Sequence, residues 1–125
     1  VNGWFLAAGL TSAGVAAVHV VAGGRDVVRP LLACHLPDEP RRVLHAVWHM
    51  VTADLLLAAA ALIGLALRHH PGGDLVAWLL AAHFVAYAVV FLVISLAADW
   101  PRPWLRLPQW LLLLPVGALA AAGTL

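Results

Sequence analysis

The sequence predicts an all-α fold, an integral membrane antiparallel four-helix bundle, on three observations. Of its 125 residues 64% are hydrophobic and only 10% are charged, with a mean hydropathy of +0.96. A soluble domain carries about 25% charged residues to keep its surface wet. The apolar residues gather into four runs, 4–22, 43–67, 75–98 and 107–125, each near the roughly 20 residues that cross about 30 Å of hydrocarbon as a helix. The connections 23–42, 68–74 and 99–106 collect the glycines, prolines and charges that the runs lack. The whole chain, 1–125, reads as one domain.

The first run has a small-residue ending, Val20-Val21-Ala22 before Gly23, that loosely fits a signal cleavage site, but no basic segment leads into it. It reads as a retained helix. Gly23-Gly24, Pro30, Pro37 and Pro40 in the first connection, Pro71-Gly72-Gly73 in the second and Pro101 and Pro103 in the third read as helix stops, because proline lacks a backbone donor and glycine costs backbone entropy. Residues 27–33 mix apolar and basic side chains, which suits either a short segment in the interface plane or a loop resting on the bundle. In lipid, helices associate through small residues; Gly9, Ala13 and Ala17, Ala60 and Gly64, Ala82 and Ala86, and Gly117 and Ala121 recur at that spacing. Short connections make consecutive helices neighbours, and Pro115 kinks the fourth.

Arg25, Arg29, Arg41, Arg42, Arg102 and Arg106 lie in the first and third connections, and Arg68 alone in the second. The excess of arginine makes that side cytoplasmic and turns both termini outward. Trp4, Trp100, Trp104 and Trp110 fall near run ends, where indoles favour the headgroup layer. With no lysine and no basic run longer than Arg41-Arg42, the chain has nothing to grip a nucleic-acid backbone. A single cysteine, Cys34, excludes an internal disulfide and a Cys-x-x-Cys redox pair.

Two groups of polar residues call for a role. Asp54 lies 11 residues into the second run, about 16 Å deep and near the bilayer centre. A carboxylate there costs on the order of 2.5 to 3.5 kcal/mol unless it is protonated, paired or wetted. From the outer face, Tyr87 matches its height better than His83 does, so Asp54 is expected to bond Tyr87 or His83. Either it clamps the second and third runs together, or the three residues form a proton or cation site. The second group is His19, His45 and His49, which share a depth. His45 and His49 stand at i and i+4 on one helix face, continued by Thr52, and Cys34, His35 and Asp99 lie on the same side. Imidazole donors suit a transition metal or haem, so these three form the candidate metal site, with Thr52 holding a ring nitrogen from behind. His69 and His70 read as solvated loop residues.

Several chemistries drop out. One histidine pair is too few for a membrane di-iron hydroxylase, and Ser95 is 12 residues from His83 on the same helix, about 18 Å, too far for a nucleophile and its base. The residues His19, Gly23-Gly24, Arg29-Pro30-Leu31-Leu32, Trp48-His49 and Leu107-Pro108-Gln109-Trp110 resemble small uncharacterised four-span inner-membrane proteins of high-GC bacteria, over essentially the whole chain. The resemblance implies a bacterial cytoplasmic membrane and no assigned activity. His19 followed by Gly-Gly also looks faintly like the copper-resistance D group of membrane proteins. Small drug exporters differ, since their essential acid sits in the first span and none is found there.

The expected function is that of an accessory or interaction subunit beside a redox or transport assembly, with the bilayer and a membrane-protein partner or second copy as its contacts and no enzymatic activity assigned. The alternatives are a haem- or transition-metal-binding membrane protein using the cytoplasmic-side histidines, and a small proton-coupled transporter using Asp54. The orientation has its own test. An impermeant thiol reagent applied to intact cells should leave Cys34 unlabelled and label a cysteine placed at Gly73; labelling of Cys34 reverses the assignment.

Overall fold

A computed structural model describes residues 1–125, and the chain is helical throughout with no strand. Helix α1 spans Gly3–Val18, a π-helix follows over His19–Val28, and α2 spans Arg29–Ala33. These run on as one helix of 31 residues, Gly3–Ala33. Helix α3 covers Asp38–Leu67, α4 Gly73–Ala97, α5 Pro103–Arg106 and α6 Gln109–Ala122.

The first connection is therefore mostly helix, and the stops expected at Gly23-Gly24, Pro30 and Pro40 do not act. The π-helix explains the first two. Its Arg29 N–H reaches the Gly24 carbonyl five residues back, and the wider turn clears the carbonyl that a proline ring strikes in an α-helix. Pro30 then occupies the first turn of α2. Pro37 caps α3 and Pro40 lies within its first turn, where backbone donors have no intrahelical acceptor and proline forfeits nothing. Residues 27–33 accordingly extend the first helix and are neither a loop nor a separate interfacial segment. The first and second runs grow from 4–22 and 43–67 to Gly3–Ala33 and Asp38–Leu67, each about 45 Å long. That exceeds the hydrocarbon, so the excess length carries the charges: Arg25, Asp26 and Arg29 on one helix, and Asp38, Glu39, Arg41 and Arg42 on the other.

Three helices are long and apolar enough to cross a membrane: Gly3–Ala33, Asp38–Leu67 and Gly73–Ala97. The third agrees with the expected 75–98. The fourth run is shortened from 107–125 to the 14 residues of α6, about 21 Å. The cause at its start is local. Leu107 precedes Pro108 and is held out of the helical region at φ −121°, ψ 83°, which separates α6 from the single turn of α5.

Packing departs from chain order. Helix α1 lies against α3 and α6, and α6 against α4, while the consecutive helices α3 and α4 scarcely touch. The closest approaches of one helix to the backbone of another are set by two glycines. A Cβ at Gly9 would stand 2.6 Å from Ile63 Cγ1 and 3.1 Å from the Ala59 carbonyl oxygen, and one at Gly117 would stand 3.0 Å from the Ala81 carbonyl oxygen. Ser12, fully buried, donates to the Leu55 carbonyl across the first contact at 3.1 Å. On α3 and α4 the small residues that pack are Ala58, Ala59, Ala66, Ala77, Ala81 and Ala88, not the expected Ala60, Gly64, Ala82 and Ala86. Ala60, Gly64, Ala82 and Ala86 are exposed, so the packed stripe is rotated from the expected one. Phe84, Leu62 and Val116 fill the interior.

Asn2 ties one end of the bundle. Its Oδ1 accepts from the N–H groups of Trp4 and Phe5, capping α1. Its amide donates to the Gly123 carbonyl at 2.8 Å and its backbone N–H to the Ala66 carbonyl at 3.0 Å. The start of α1 and the ends of α3 and α6 thus meet at one point. At this end Gly73 is buried against Leu65, which makes the exposed His69 a better labelling position than Gly73.

The two glycine-limited contacts predict an asymmetry between small-residue sites. Gly9→Val should force α1 away from α3 and lower stability by about 1 to 3 kcal/mol, the usual range for overpacking. Gly64→Val, where a Cβ meets nothing within 4 Å, should stay within about 0.5 kcal/mol. Unfolding of the two variants side by side in one detergent measures the difference, and equal stabilities would place the α1–α3 contact elsewhere.

Candidate functional site: an Asp–His pair in the α3–α4 cleft

Because α3 and α4 stand apart, the space between them is a lateral cleft of about 350 Å³, lined by Leu57, Ala58, Ala61, Leu79 and Leu80 with Asp54 and His83. The two polar side chains bridge it: Nε2 of His83 lies 2.8 Å from Oδ2 of Asp54. Neither is fully buried, with the His83 side chain 29% and the Asp54 side chain 38% exposed. The Tyr87 ring packs against His83, centroids 4.1 Å apart and tilted by 46°, and its hydroxyl lies close to the same Asp54 carboxylate. Asp54, His83 and Tyr87 therefore form one cluster.

The direct partner of Asp54 is His83, although height counted from the helix ends favours Tyr87. The reason is an axial offset. Helix α4 does not begin level with the end of α3; Gly73 starts it beside Leu65, two residues short of that end, about 3 Å lower. Counted from that level, Asp54 is 11 residues down α3 and His83 10 residues down α4. The axial distances then agree at about 15 to 16 Å.

Chemically the pair holds one proton between a carboxylate and an imidazole. With the proton on nitrogen it is an ion pair, and with the proton on oxygen it is a neutral hydrogen bond. An intramembrane acid without such a partner is costly. The aliphatic walls on both sides lower the local dielectric and strengthen the contact.

The three histidines expected to share a metal part company. Nε2 of His45 and Nε2 of His49 are 3.1 Å apart. His19 goes elsewhere: its ring stacks on the Trp48 indole with centroids 4.4 Å apart and 18° between planes, and its Nε2 lies 3.2 Å from the Trp48 carbonyl oxygen. Its height is the expected one, but its direction is not. At 100° per residue Trp48 points 60° from His45 and 100° from His49, and the indole takes the position facing the first helix. Thr52 donates to the same Trp48 carbonyl at 3.2 Å and so backs neither ring of the pair. Cys34 donates to the Leu31 carbonyl at 2.9 Å. No group of three or more His, Cys, Asp or Glu side chains is placed to hold a metal ion.

Sequence reasoning missed three participants. Trp48 carries no role in the sequence reading, yet it is the residue His19 packs on. Ser12 carries an interhelical bond that a lone hydroxyl in an apolar run does not announce. The π-helix has no composition of its own, although Gly23-Gly24 inside an otherwise unbroken apolar pattern marks its place.

No known protein family, no curated protein and no solved structure matches the chain.

Removing the bridge has a defined expectation. Asp54→Leu should lose the interhelical bond and about 0.6 to 2 kcal/mol of stability in detergent or bilayer. Asp54→Asn, which can still bond His83, should lose less than the leucine variant. Identical stabilities for wild type, Asp54→Asn and Asp54→Leu would show that the bridge contributes nothing to holding α4 against the rest.

Proposed function

We propose that this chain is a small four-span membrane protein acting as an accessory or interaction subunit of a redox or transport assembly, with Asp54 and His83 as its working centre. What the pair supplies is a site that takes up and releases a proton within the membrane. The observation that carries this reading is the 2.8 Å carboxylate–imidazole contact standing half-exposed in an open cleft. A purely structural clamp gains most when it is sealed between packed helices, where water cannot compete for its hydrogen bond. Here the helices on either side leave about 350 Å³, room for several waters at about 30 Å³ each. Water admitted to that space would carry protons to the pair and away from it.

The location that fits is a bacterial cytoplasmic membrane with the arginine-rich ends of the helices inward and both ends of residues 1–125 outward. Helix α6 would complete the fourth span at about 21 Å with its short flanking segments and local thinning of the bilayer. Haem binding gains no support from the histidines. Two axial nitrogens at about 2 Å from one iron stand about 4 Å apart on opposite sides, whereas His45 and His49 are adjacent on one helix face and His19 is engaged by Trp48.

Infrared difference spectroscopy of the purified protein tests the reading directly. On transfer into D2O the carboxyl and imidazole bands of the pair should shift promptly, and Asp54→Asn and His83→Gln should each remove that shift. Bands of the pair that keep their hydrogen through prolonged exposure to D2O would reduce it to a sealed clamp.

A further inference from the structure

The second polar centre has a geometry of its own. His45 and His49 stand on one face of α3, three and seven residues beyond Arg42. Counting 20 residues of hydrocarbon back from Leu67 reaches Trp48, so the pair straddles the level at which α3 leaves the hydrocarbon for the cytoplasmic headgroups. His49 is exposed and His45 partly so. Their Nε2 atoms face each other at 3.1 Å and have no other hydrogen-bond partner.

A helix that carries two histidines one turn apart can offer both nitrogens to one ion, and the separation decides whether it does. Ligands at 2.0 to 2.1 Å from a common metal stand about 2.9 Å apart at a right angle and about 3.3 Å apart at the tetrahedral angle. The observed 3.1 Å lies between the two. Each ring then has only to carry its proton on Nδ1, which leaves both Nε2 lone pairs free. The nearest cations are also drawn aside. Arg41, one turn before His45, binds the Asp38 carboxylate at 2.8 Å and the Leu32 carbonyl at 3.3 Å, and Arg42 lies 3.3 Å from Asp38.

We propose that His45 and His49 form a two-histidine chelate for a late first-row divalent metal ion at the cytoplasmic membrane surface, its remaining coordination positions filled by solvent. On binding, the proton held between the rings is exchanged through solvent onto Nδ1 of the ring that carried it, so both rings stay neutral and each Nε2 donates a lone pair to the metal. Cu²⁺ is bound most tightly, followed by Ni²⁺ and Zn²⁺, in the order that imidazole sites follow. The site shares no residue with the Asp54–His83 pair, so the two stand or fall separately.

The test uses untagged protein in detergent, titrated with Cu²⁺ and followed by electron paramagnetic resonance. Wild type should bind one Cu²⁺ with the splitting of two imidazole nitrogens. His45→Ala and His49→Ala should each weaken binding at least tenfold and remove one nitrogen from the spectrum. His69→Ala and His70→Ala should leave both unchanged, since adjacent histidines do not face one another on a helix or loop in this way. Circular dichroism of the alanine variants checks that the helices persist, as expected for substitutions at accessible positions. If His49→Ala binds Cu²⁺ as wild type does, or if the bound ion shows one nitrogen or none, the chelate does not exist.

Discussion

Two close backbone contacts govern this molecule, α1 against α3 at Gly9 and α6 against α4 at Gly117. In lipid a polypeptide gains little by hiding apolar surface from an equally apolar solvent, so close dispersion contact between backbones replaces it as the source of cohesion. Each glycine fixes one helix pair, and the α1–α6 contact joins the pairs. Helices α3 and α4 are left at the two ends of that arrangement, although only five residues separate them in the chain. The cleft between them is a by-product of where the small residues lie. A carboxylate and an imidazole then span the remaining distance because no backbone contact does.

The same hierarchy explains the exposed surface. Large side chains such as Leu57, Leu79, Met50 and Val93 point outward, as suits helices whose surroundings are acyl chains. Polar groups inside the apolar stretch are few and each has an assigned neighbour: Ser12 on the Leu55 carbonyl, His19 and Thr52 on the Trp48 carbonyl, and His83 on Asp54. The buried Ser95 hydroxyl and the buried Gln109 Oε1 are the exceptions, with no partner, and the structure offers no explanation for them.

Much of the architecture is legible in the residues. The third helix follows from its apolar run almost to the residue, because Pro71-Gly72 and Asp99 to Pro103 bound it sharply. The first and second helices were read too short because proline and glycine were weighed without their position within the turn. Pro40 in a first turn and Pro30 after a π-helix break nothing. Helix α6 was read too long because Leu107 looks helical until Pro108 behind it is taken into account. Of the polar centres, the pairing of His45 with His49 follows from spacing alone. The choice of His83 over Tyr87 depends on a 3 Å offset between two helix ends, which no periodicity records. The separation of His19 from its expected partners depends on which way an indole turns.

Asn2 has a consequence for topology as a whole. Through its amide and its backbone N–H it gathers the first turn of α1, the last turn of α3 and the carbonyl of Gly123, so residues 2 and 123 are joined by one hydrogen bond. In connectivity the bundle is nearly a closed ring. Any segment attached at either end of residues 1–125 departs from the same point on the same face. A short peptide joining the two ends could make the chain a covalent circle without disturbing a single helix.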